Sequence, residues 1–499
     1  MPVSPARQAG AVALAAVLIV GGYSVFFSQA NDAAAAVAPG STARASVTDA
    51  GLESPNGGRD QQISGDGRSV VFSSRAELAQ PVEDEARNIF VRDLVRGRTV
   101  LISRGQFTIP DPPTSSPPVP GLRSRPLLSF AAQPVPVPGE TAADDDSFEP
   151  TISADGRYVA FASEASNIVP VGTEPLTLIG VDRDPDGDGD FDELKAASTA
   201  MDHRFFAISI PLQGAPSVVP SAIRLSGDGG RAVWQERVSP TDYRDRTKTA
   251  VLRSPVTGQV GTPVTAAFLP TGLDGSSTAS AQRQEEPAIS ADGRFVVTCS
   301  EYLDGESLFS TIVRHEFATG ANKRVDLEPN GTPIGSGNVE VFLPTISGDG
   351  SAVAFVAQDD EEYQPNIYLV RPDVPASELV SLDTAGQPIN ATMPALSADG
   401  RYLAFATDAL GVHDGIDGPI RDENTDNCVV PQSDLTLVNR VMTLPPIEDR
   451  RQVRTACQVV ARDLVADRER AAAGLPRLPA ALASVSADEA CADDGVACA

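Results

Sequence analysis

The sequence is poor in the side chains that most often carry catalysis or bind metals through nitrogen or sulfur. It contains three histidines, five cysteines and a single tryptophan in 499 residues. The histidines, His203, His315 and His413, are far apart in the chain, and none has a neighbour at the spacing of a metal-binding pair. The sequence also has no nucleophile elbow, zinc-binding helix motif or phosphate-binding loop. We therefore expect no catalytic residues, no organic cofactor and no enzymatic activity.

Positive charge is scarce as well. The chain has 39 Lys and Arg residues against 67 Asp and Glu residues, and its formal net charge is −28. A surface of this sign repels the phosphates of nucleic acids, so we expect no nucleic-acid partner. Gly and Pro are abundant, at 41 each, and 41% of the residues are apolar. This composition favours a folded protein with many short strands and frequent turns.

The N-terminus carries an apolar segment. Residues 11–27 are mostly apolar, Arg7 precedes them, and the small-x-small pattern of a signal-peptidase site follows at residues 28–30. We interpret residues 1–30 as a signal peptide; the alternative is an uncleaved signal anchor, for which a run of about 17 residues is marginally long enough. Either way, the body of the protein is expected outside the cytoplasm, secreted or associated with the cell envelope. Membrane contact is expected only through such an anchor.

The cysteines fit an oxidising compartment. Cys428 and Cys457 flank one insertion, and Cys491 and Cys498 enclose a short C-terminal loop. We predict these two disulfides, with Cys299 buried and unpaired, although sequence alone does not fix the connectivity.

One phrase organises the chain. It begins with an apolar residue, which is followed by Ser, then by either Gly or Ala, and then by Asp-Gly. A short apolar strand completes it. The Asp-Gly pair predicts a hairpin turn, and the aromatic residue that usually ends the strand is expected to pack between neighbouring repeats. A second strand follows each phrase, as at 88–93 and 366–371. The six copies occupy residues 63–72, 152–161, 225–234, 289–298, 346–355 and 396–405.

Residues 150–161, together with a following strand such as 88–93, resemble the PD40 repeat of the TolB-like, WD40-like β-propellers. A repeat of about 45 residues with four short strands is one propeller blade. The resemblance implies an all-β fold: a six-bladed β-propeller of four-stranded antiparallel blades around an axial channel. It does not imply one function, because such repeats occur in pore-associated envelope proteins, in peptidase propellers and in many exported proteins.

We place the propeller at residues 42–475, after the N-terminal signal or anchor segment. Residues 42–47 resemble the closing strand of a repeat, and we expect them to complete the sixth blade. Residues 106–147 are rich in Pro and predict an extended surface loop, and residues 411–452 form a second insertion that contains Cys428. A short helix is expected at 464–473 with Gly474 at its end, and residues 476–499 form a C-terminal tail.

The sharpest chemical motif is an acidic loop in the second repeat. It runs from Asp184 to Asp192 and fits the calcium-loop pattern D-x-D-x-D-G-x-x-D. Ca²⁺ takes six to eight oxygen ligands, which alternating carboxylates around a tight loop can supply. Lys195 occupies the position where a helical calcium loop carries Glu, so the motif resembles instead the calcium loops in hairpins of other propellers. We predict a structural Ca²⁺ site; the alternative is an acidic hairpin without metal. The candidate ligands are Asp184, Asp186, Asp188, Asp190 and Asp192.

Three functions remain open from the sequence. The first is a monomeric, non-enzymatic, exported scaffold that binds a protein or cell-envelope partner. The second is a carbohydrate-active lyase or hydrolase, which requires His, Asp, Glu and Arg side chains converging on the axial channel. The third is a structural protein with no dedicated ligand.

Overall fold

The computed structural model of the chain describes part of the sequence, and every structural statement below concerns that part. The described residues are 45–52, 58–79, 86–108, 135–169, 177–193, 203–209, 220–239, 242–252, 265–267, 281–304, 307–335, 338–359, 364–372, 374–407, 458–475, 477 and 481–482.

Six four-stranded antiparallel sheets follow one another along the chain, and each is built from one continuous stretch of sequence with its strands in sequence order. Blade 1 contains β1 (Arg59–Ile63), β2 (Ser69–Ser74), β3 (Asn88–Asp93) and β4 (Arg98–Leu101); blade 2 contains β7 (Ser147–Ile152), β8 (Tyr158–Ser163), β9 (Thr177–Asp182) and β10 (Arg204–Ser209); blade 3 contains β11 (Ser221–Leu225), β12 (Arg231–Ser239), β13 (Asp242–Val251) and β14 (Thr265–Ala267). Blade 4 contains β15 (Ala281–Ile289), β16 (Phe295–Asp304), β17 (Ser307–Glu316) and β18 (Ala321–Arg324); blade 5 contains β19 (Val339–Ile346), β20 (Val353–Asp359), β21 (Pro365–Arg371) and β22 (Val374–Leu379); blade 6 contains β23 (Ala391–Leu396), β24 (Tyr402–Thr407), β25 (Gln458–Asp463) and β26 (Ala481–Leu482).

The first strand of each blade lies innermost, because first strands of consecutive blades pack on one another from β1 and β7 through β19 and β23. The architecture is therefore the predicted six-bladed β-propeller, with its strands arranged around a central axis.

The Ser-x-Asp-Gly phrase forms the same turn in all six blades, as its sequence predicts. In blade 1 the Ser64 hydroxyl donates to Asp66 Oδ1, which also accepts the Arg68 N–H at 2.9 Å. Ser64 Oγ accepts the Ser69 N–H at 2.9 Å, and Gly67 takes a φ of 71° that favours glycine. The equivalent three bonds recur in the other blades. These turns fix where the second strand of each blade begins.

The core lies between the blades. Phe161 of blade 2 is fully buried against Val71 and Val91 of blade 1, and Trp234 of blade 3 packs in the cluster shared with blade 2. Phe355 and Phe405 take the same place in blades 5 and 6. These four aromatic residues therefore pack between neighbouring blades, as expected, whereas Phe72 of the first phrase stacks on Phe90 within blade 1. Burying each such ring contributes roughly 1.5–3 kcal/mol.

The six turns also meet one another through small residues. The x of each phrase alternates between glycine and alanine around the ring, and adjacent turns are joined by backbone hydrogen bonds of 2.8–3.2 Å from blade 1 through blade 6. Gly65 lies so close to Ala154 that a Cβ at Gly65 would sit 2.6 Å from the alanine Cβ. Between the described residues Ala398 and Gly65 the sixth bond of this series is not formed. The alternating residues are Gly65, Ala154, Gly227, Ala291, Gly348 and Ala398.

The closing strand is not where the sequence suggested. The outer strand of blade 6 is β26, in which Leu482 pairs with Val460 and Ala481 with Ala461. The prediction that residues 42–47 complete this blade is wrong for their described part, because the carbonyl of Val47 instead accepts a 2.6 Å hydrogen bond from the Thr99 hydroxyl of blade 1. Strand β26 already pairs with the outer edge of β25, so this edge is not free for residues 42–47. The structure therefore places β26 inside the segment that was expected to be a tail.

The Pro-rich insertion has a structured base. Strand β5 (Arg104–Thr108) pairs with β6 (Val135–Ala142) as a two-stranded ribbon between blades 1 and 2, whereas residues 109–134 lie outside the described residues. Helix α1 (Leu464–Ala472) follows β25, with Asp463 as its N-cap and Gly474 at a φ of 67° beyond its end, close to the prediction.

Several expectations concern segments outside the described residues. They are the signal or anchor segment 1–30, the insertion 411–452, and Cys428, Cys457, Cys491 and Cys498. Cys299 is buried and free, and its thiol donates to the carbonyl of Val341. In the portion of the chain that the structure describes, no helix is both long and apolar enough to cross a bilayer.

Candidate functional site

The acidic loop leaves β9 and curls around the carboxylate of Asp184. This buried carboxylate accepts the N–H groups of Gly187 at 2.9 Å, Asp188 at 3.1 Å and Gly189 at 3.2 Å. The two glycines have φ values of 80° and 90°, which allow the backbone to turn toward the carboxylate. One carboxylate oxygen from each of Asp184, Asp186 and Asp188 lies within 4.8 Å of the others. These three aspartates form the acidic cluster of the loop, and two of them are exposed.

The structure directs the other two aspartates elsewhere. Asp190 is paired with Arg96 of blade 1, and both side chains are about half exposed. Asp192 is buried and accepts hydrogen bonds from both Nε and Nη2 of Arg183. His203 Nε2 lies 2.7 Å from Asp192 Oδ1. Of the five predicted ligands, the structure therefore brings together three and gives the carboxylates of Asp190 and Asp192 to cations of the protein.

The electrostatics of the Asp192 cluster follow from its burial. Burial opposes ionisation of Asp192, but the charge of Arg183 and the hydrogen bonds from His203 and Arg183 outweigh it and hold the pKa of Asp192 well below its usual range. Burial lowers the pKa of His203, against the opposing effect of Asp192. Asp192 with Arg183 forms a buried ion pair that fixes the base of the loop.

The inner strands hold a second set of carboxylates. Each inner strand contains a β-bulge with one non-glycine residue at positive φ, between 48° and 54°. In blade 2, Glu149 accepts the N–H of Ala222 from the next blade at 3.3 Å, and in blade 4 Glu286 accepts the N–H of Leu343. The bulge residues are Asp60, Glu149, Ala222, Glu286, Leu343 and Met393.

Glu286 is the acid of this set with a strongly shifted pKa. Burial raises the pKa of Glu286 to about 7, although the hydrogen bond from Leu343 and the charge of Arg224 act in the opposite direction. A carboxyl with this pKa can exchange a proton near neutrality. Neither composition nor any motif distinguishes this residue in the sequence. The usable signal was the repeat itself, because Asp60, Glu149 and Glu286 all lie five residues before the small residue of their phrase.

The histidines do not converge on the inner strands. His203 belongs to the Asp192 cluster, and His315 of β17 lies 2.8 Å from the Asn322 side chain through its Nδ1. His413 lies outside the described residues. The described inner strands contain Asp, Glu and Arg but no His.

The chain thus belongs structurally to the class of six-bladed β-propellers. No protein-family profile matches the sequence, and no curated protein sequence matches it. It is similar to a protein assigned as TolB from Agrobacterium tumefaciens, with 14% identity over 65% of this chain and 79% of that chain and a TM-score of 0.32. An oligogalacturonate lyase in complex with manganese gives 13% identity, coverage of 72% and 76%, and a TM-score of 0.39.

The β-propeller domain of the Trilobed protease from Pyrococcus furiosus gives 10% identity, coverage of 70% and 77%, and a TM-score of 0.37. At these values the likeness carries no argument about this chain.

Proposed function

We propose that this protein is an exported, non-enzymatic β-propeller scaffold that binds a protein or cell-envelope partner. The observation that supports this proposal is the use of the inner-strand carboxylates. Asp60 accepts the Ser73 hydroxyl at 2.8 Å, Glu149 accepts a backbone N–H of blade 3, and Glu286 accepts one of blade 5. Groups that would serve catalysis at the axis are thus engaged in hydrogen bonds within a blade, for Asp60, or between blades, for Glu149 and Glu286, which is a structural use.

The competing function is a carbohydrate-active lyase or hydrolase with an axial site. Glu286 is the residue that favours it, because a pKa of about 7 suits a general base. Its carboxylate, however, is hydrogen-bonded to Leu343. Catalysis would require this bond to break in the substrate complex.

The two functions are separated by one experiment. The purified protein is assayed on a panel of polysaccharides and peptides, alongside Glu286→Gln, which keeps an acceptor oxygen but cannot act as a base. We expect no turnover by either protein and recovery of a saturable partner when the folded protein is incubated with its native envelope fraction. Reproducible turnover that Glu286→Gln abolishes would overturn the scaffold proposal in favour of the enzyme.

We further propose that the acidic loop is a structural Ca²⁺ site, with the cluster of Asp184, Asp186 and Asp188 supplying carboxylate oxygens and the ion stiffening the loop. Extracellular modules bind Ca²⁺ with dissociation constants of roughly 10⁻⁴–10⁻³ M, and we expect this range. The test is calorimetric titration of calcium into chelator-treated protein, with Asp186→Asn as the ligand variant and Asp145→Asn, an exposed acid outside the loop, as the control. Equal heats for all three proteins would show that the loop is an acidic turn without metal.

A further inference from the structure

Four of the six blades carry an arginine–carboxylate pair beside the Ser-x-Asp-Gly turn. The arginine follows the Asp-Gly pair, and the carboxylate ends the third strand of the same blade, so the pair ties the second strand to the third. Charge-assisted pairs of this kind combine attraction with directed hydrogen bonds. The pairs are Arg68 with Asp93 at 2.9 Å, Arg157 with Asp182 at 2.7 Å, Arg294 with Glu316 at 3.4 Å, and Arg401 with Asp463 at 2.6 Å.

Blades 3 and 5 depart from this pattern in different ways. Blade 3 has lost both charges, with Gly230 and Val251 at the two positions. Blade 5 has lost the arginine, which is Ser351, but carries Arg371 where the other blades carry the carboxylate. The cation of blade 5 has therefore moved to the opposite strand, and the place of the usual arginine side chain is taken by a short, exposed serine.

The inverted position leaves a guanidinium with an unused donor. Nη1 of Arg371 is buried and has no hydrogen-bond partner among the described residues. A buried donor without an acceptor is costly, and a guanidinium presents its donors in a planar fork that suits a carboxylate. Burial lowers the pKa of Arg371, and the nearby Arg468 lowers it further, against Glu378 and Asp349. Arginine nevertheless stays protonated at any physiological pH.

Two carboxylates, Glu378 and Asp349, lie close enough to Arg371 to raise its pKa, and both also accept hydrogen bonds from other groups. Glu378 is engaged by Arg468 of α1, whose Nε donates to it at 2.9 Å. Asp349 accepts the Ser347 hydroxyl and the Ser351 N–H within its own turn. Lys323 of blade 4 donates to the carbonyl of Pro372, next to Arg371. This junction of blades 4, 5 and 6 thus contains three cations, Arg371, Arg468 and Lys323, together with the carboxylates of Glu378 and Asp349.

We propose that Arg371, which is partly exposed beside the short and exposed Ser351, is a docking site for an acidic side chain of a partner protein. The partner supplies the carboxylate that the other blades carry themselves, and Arg371 binds it. The inference rests on the proposed scaffold function and deepens it, because it assigns the chemistry of one partner contact. Charge complementarity selects this occupant, because the sister blades show a guanidinium holding a carboxylate at this place in the fold.

The test uses a labelled peptide, Gly-Gly-Glu-Glu-Gly-Gly, titrated into the full protein at low salt, with the corresponding Gln peptide for comparison. We expect the Glu peptide to bind in preference, and Arg371→Gln to weaken that binding by about tenfold. The matched control is Arg294→Gln, which removes one cation from the same turn in blade 4, where the carboxylate is already supplied. It should leave binding unchanged.

A second variant keeps the test valid if Arg371→Gln destabilises the blade. The double substitution Ser351→Arg with Arg371→Asp rebuilds the pair of the sister blades, so it should fold at least as stably as the wild type and lose peptide binding. Binding that survives in this variant, or no preference for the Glu peptide in the wild type, would overturn the site. If the protein prefers the Glu peptide only after residues 484–499 are deleted, the occupant of the site would be the chain's own acidic C-terminus and not a partner protein.

The two proposals fail separately. If the peptide does not bind, the Arg371 site is overturned but recovery of an envelope partner would still support the scaffold function. Polysaccharide turnover abolished by Glu286→Gln would refute the scaffold function even if Arg371 binds the peptide.

Discussion

Glu286 combines backbone strain, burial and hydrogen bonding in one residue. Its φ of 53° places it in the left-handed region, where a side chain with a Cβ costs of order 1 kcal/mol or more. The conformation is held from both sides, since its N–H donates to Gln235 of blade 3 and its carboxylate accepts from Leu343 of blade 5. One residue therefore connects three blades. The same position in blades 5 and 6 carries Leu343 and Met393, which cannot form the second bond.

The raised pKa of Glu286 predicts a pH-dependent stability. Its folded-state pKa of about 7 lies above the ordinary value of 4.5, so the protonated carboxyl favours the folded state. That contribution is complete below about pH 4.5 and is lost as the pH rises through 7. We expect Glu286→Gln, which stays neutral and keeps its acceptor, to unfold at a higher temperature than the wild type at pH 8 and at a similar temperature at pH 5.

The comparison with Glu286→Ala separates charge from hydrogen bonding. Alanine removes the acceptor and leaves the Leu343 N–H unpaired, so this variant should be less stable than the wild type at pH 5 as well. Melting curves of the three proteins between pH 4.5 and 8 provide the measurement. A difference between wild type and Glu286→Gln that does not change with pH would contradict the assignment.

At the scale of a single loop, the acidic hairpin contains two kinds of aspartate. Asp192 and Arg183 are both buried, with side-chain exposures of 5% and 1%, whereas Asp190 and Arg96 are exposed at 49% and 44%. Breaking a buried pair leaves an uncompensated charge, while an exposed pair is screened by water. The two pairs lie two residues apart in one loop, so they form a matched comparison.

We expect Asp192→Asn to lower the free energy of unfolding by about 3–5 kcal/mol. Asp190→Asn removes the same charge and should change it by less than about 1 kcal/mol. Urea denaturation of the two variants and the wild type measures both values. Equal effects would mean that the Arg183 guanidinium finds another partner when Asp192 is lost.

The turns make a second prediction at this scale. A Cβ at Gly227 would lie 2.8 Å from the Cβ of Ala291 and 2.9 Å from its carbonyl oxygen, so Gly227→Ala forces adjacent turns apart. Overpacking of this kind costs roughly 1–3 kcal/mol. Ala398→Gly, which removes a methyl group from an equivalent turn, serves as the control and should cost less. A melting temperature unchanged in Gly227→Ala would show that the contact relaxes freely.

The sequence repeat predicts the turns and the interblade aromatic residues. Contacts between residues far apart in the chain could not be predicted in this way. The phrases predicted the six turns and the interblade place of Phe161 and Trp234, because both depend on local chemistry repeated six times. The division of the acidic loop did not follow from its spacing. Asp190 meets Arg96, which lies 94 residues earlier in the chain, and only the folded ring brings these residues together. The role of Arg371 likewise could not be predicted from the sequence, because only the strand register aligns it with the carboxylates of the other blades.

At the scale of the whole molecule, the ring is a chain of blades joined in sequence. Each neighbouring pair from blade 1 to blade 6 shares a backbone hydrogen bond between turns and a packed apolar layer. Propellers usually gain additional closure when one blade combines strands from both ends of the chain. Here the described strands of blade 6 all come from residues 391–482, and the N-terminal residues 46–49 pack on blade 1 instead. The integrity of the last blade therefore depends on a two-residue strand that follows α1.

This arrangement predicts that β26, rather than the N-terminal segment, protects the last blade. Val460 and Ala461 of β25 are buried, and their outer edge pairs with β26. A chain ended after residue 475 should lose about 1–3 kcal/mol of stability from the unpaired backbone groups, and it should self-associate through the exposed strand edge. A chain ended after residue 484 retains β26 and should behave as the full-length protein. Thermal unfolding and light scattering distinguish the two. If residues 42–47 closed the blade, the two truncations would be equally stable, and only removal of the N-terminal segment would open the edge of β25.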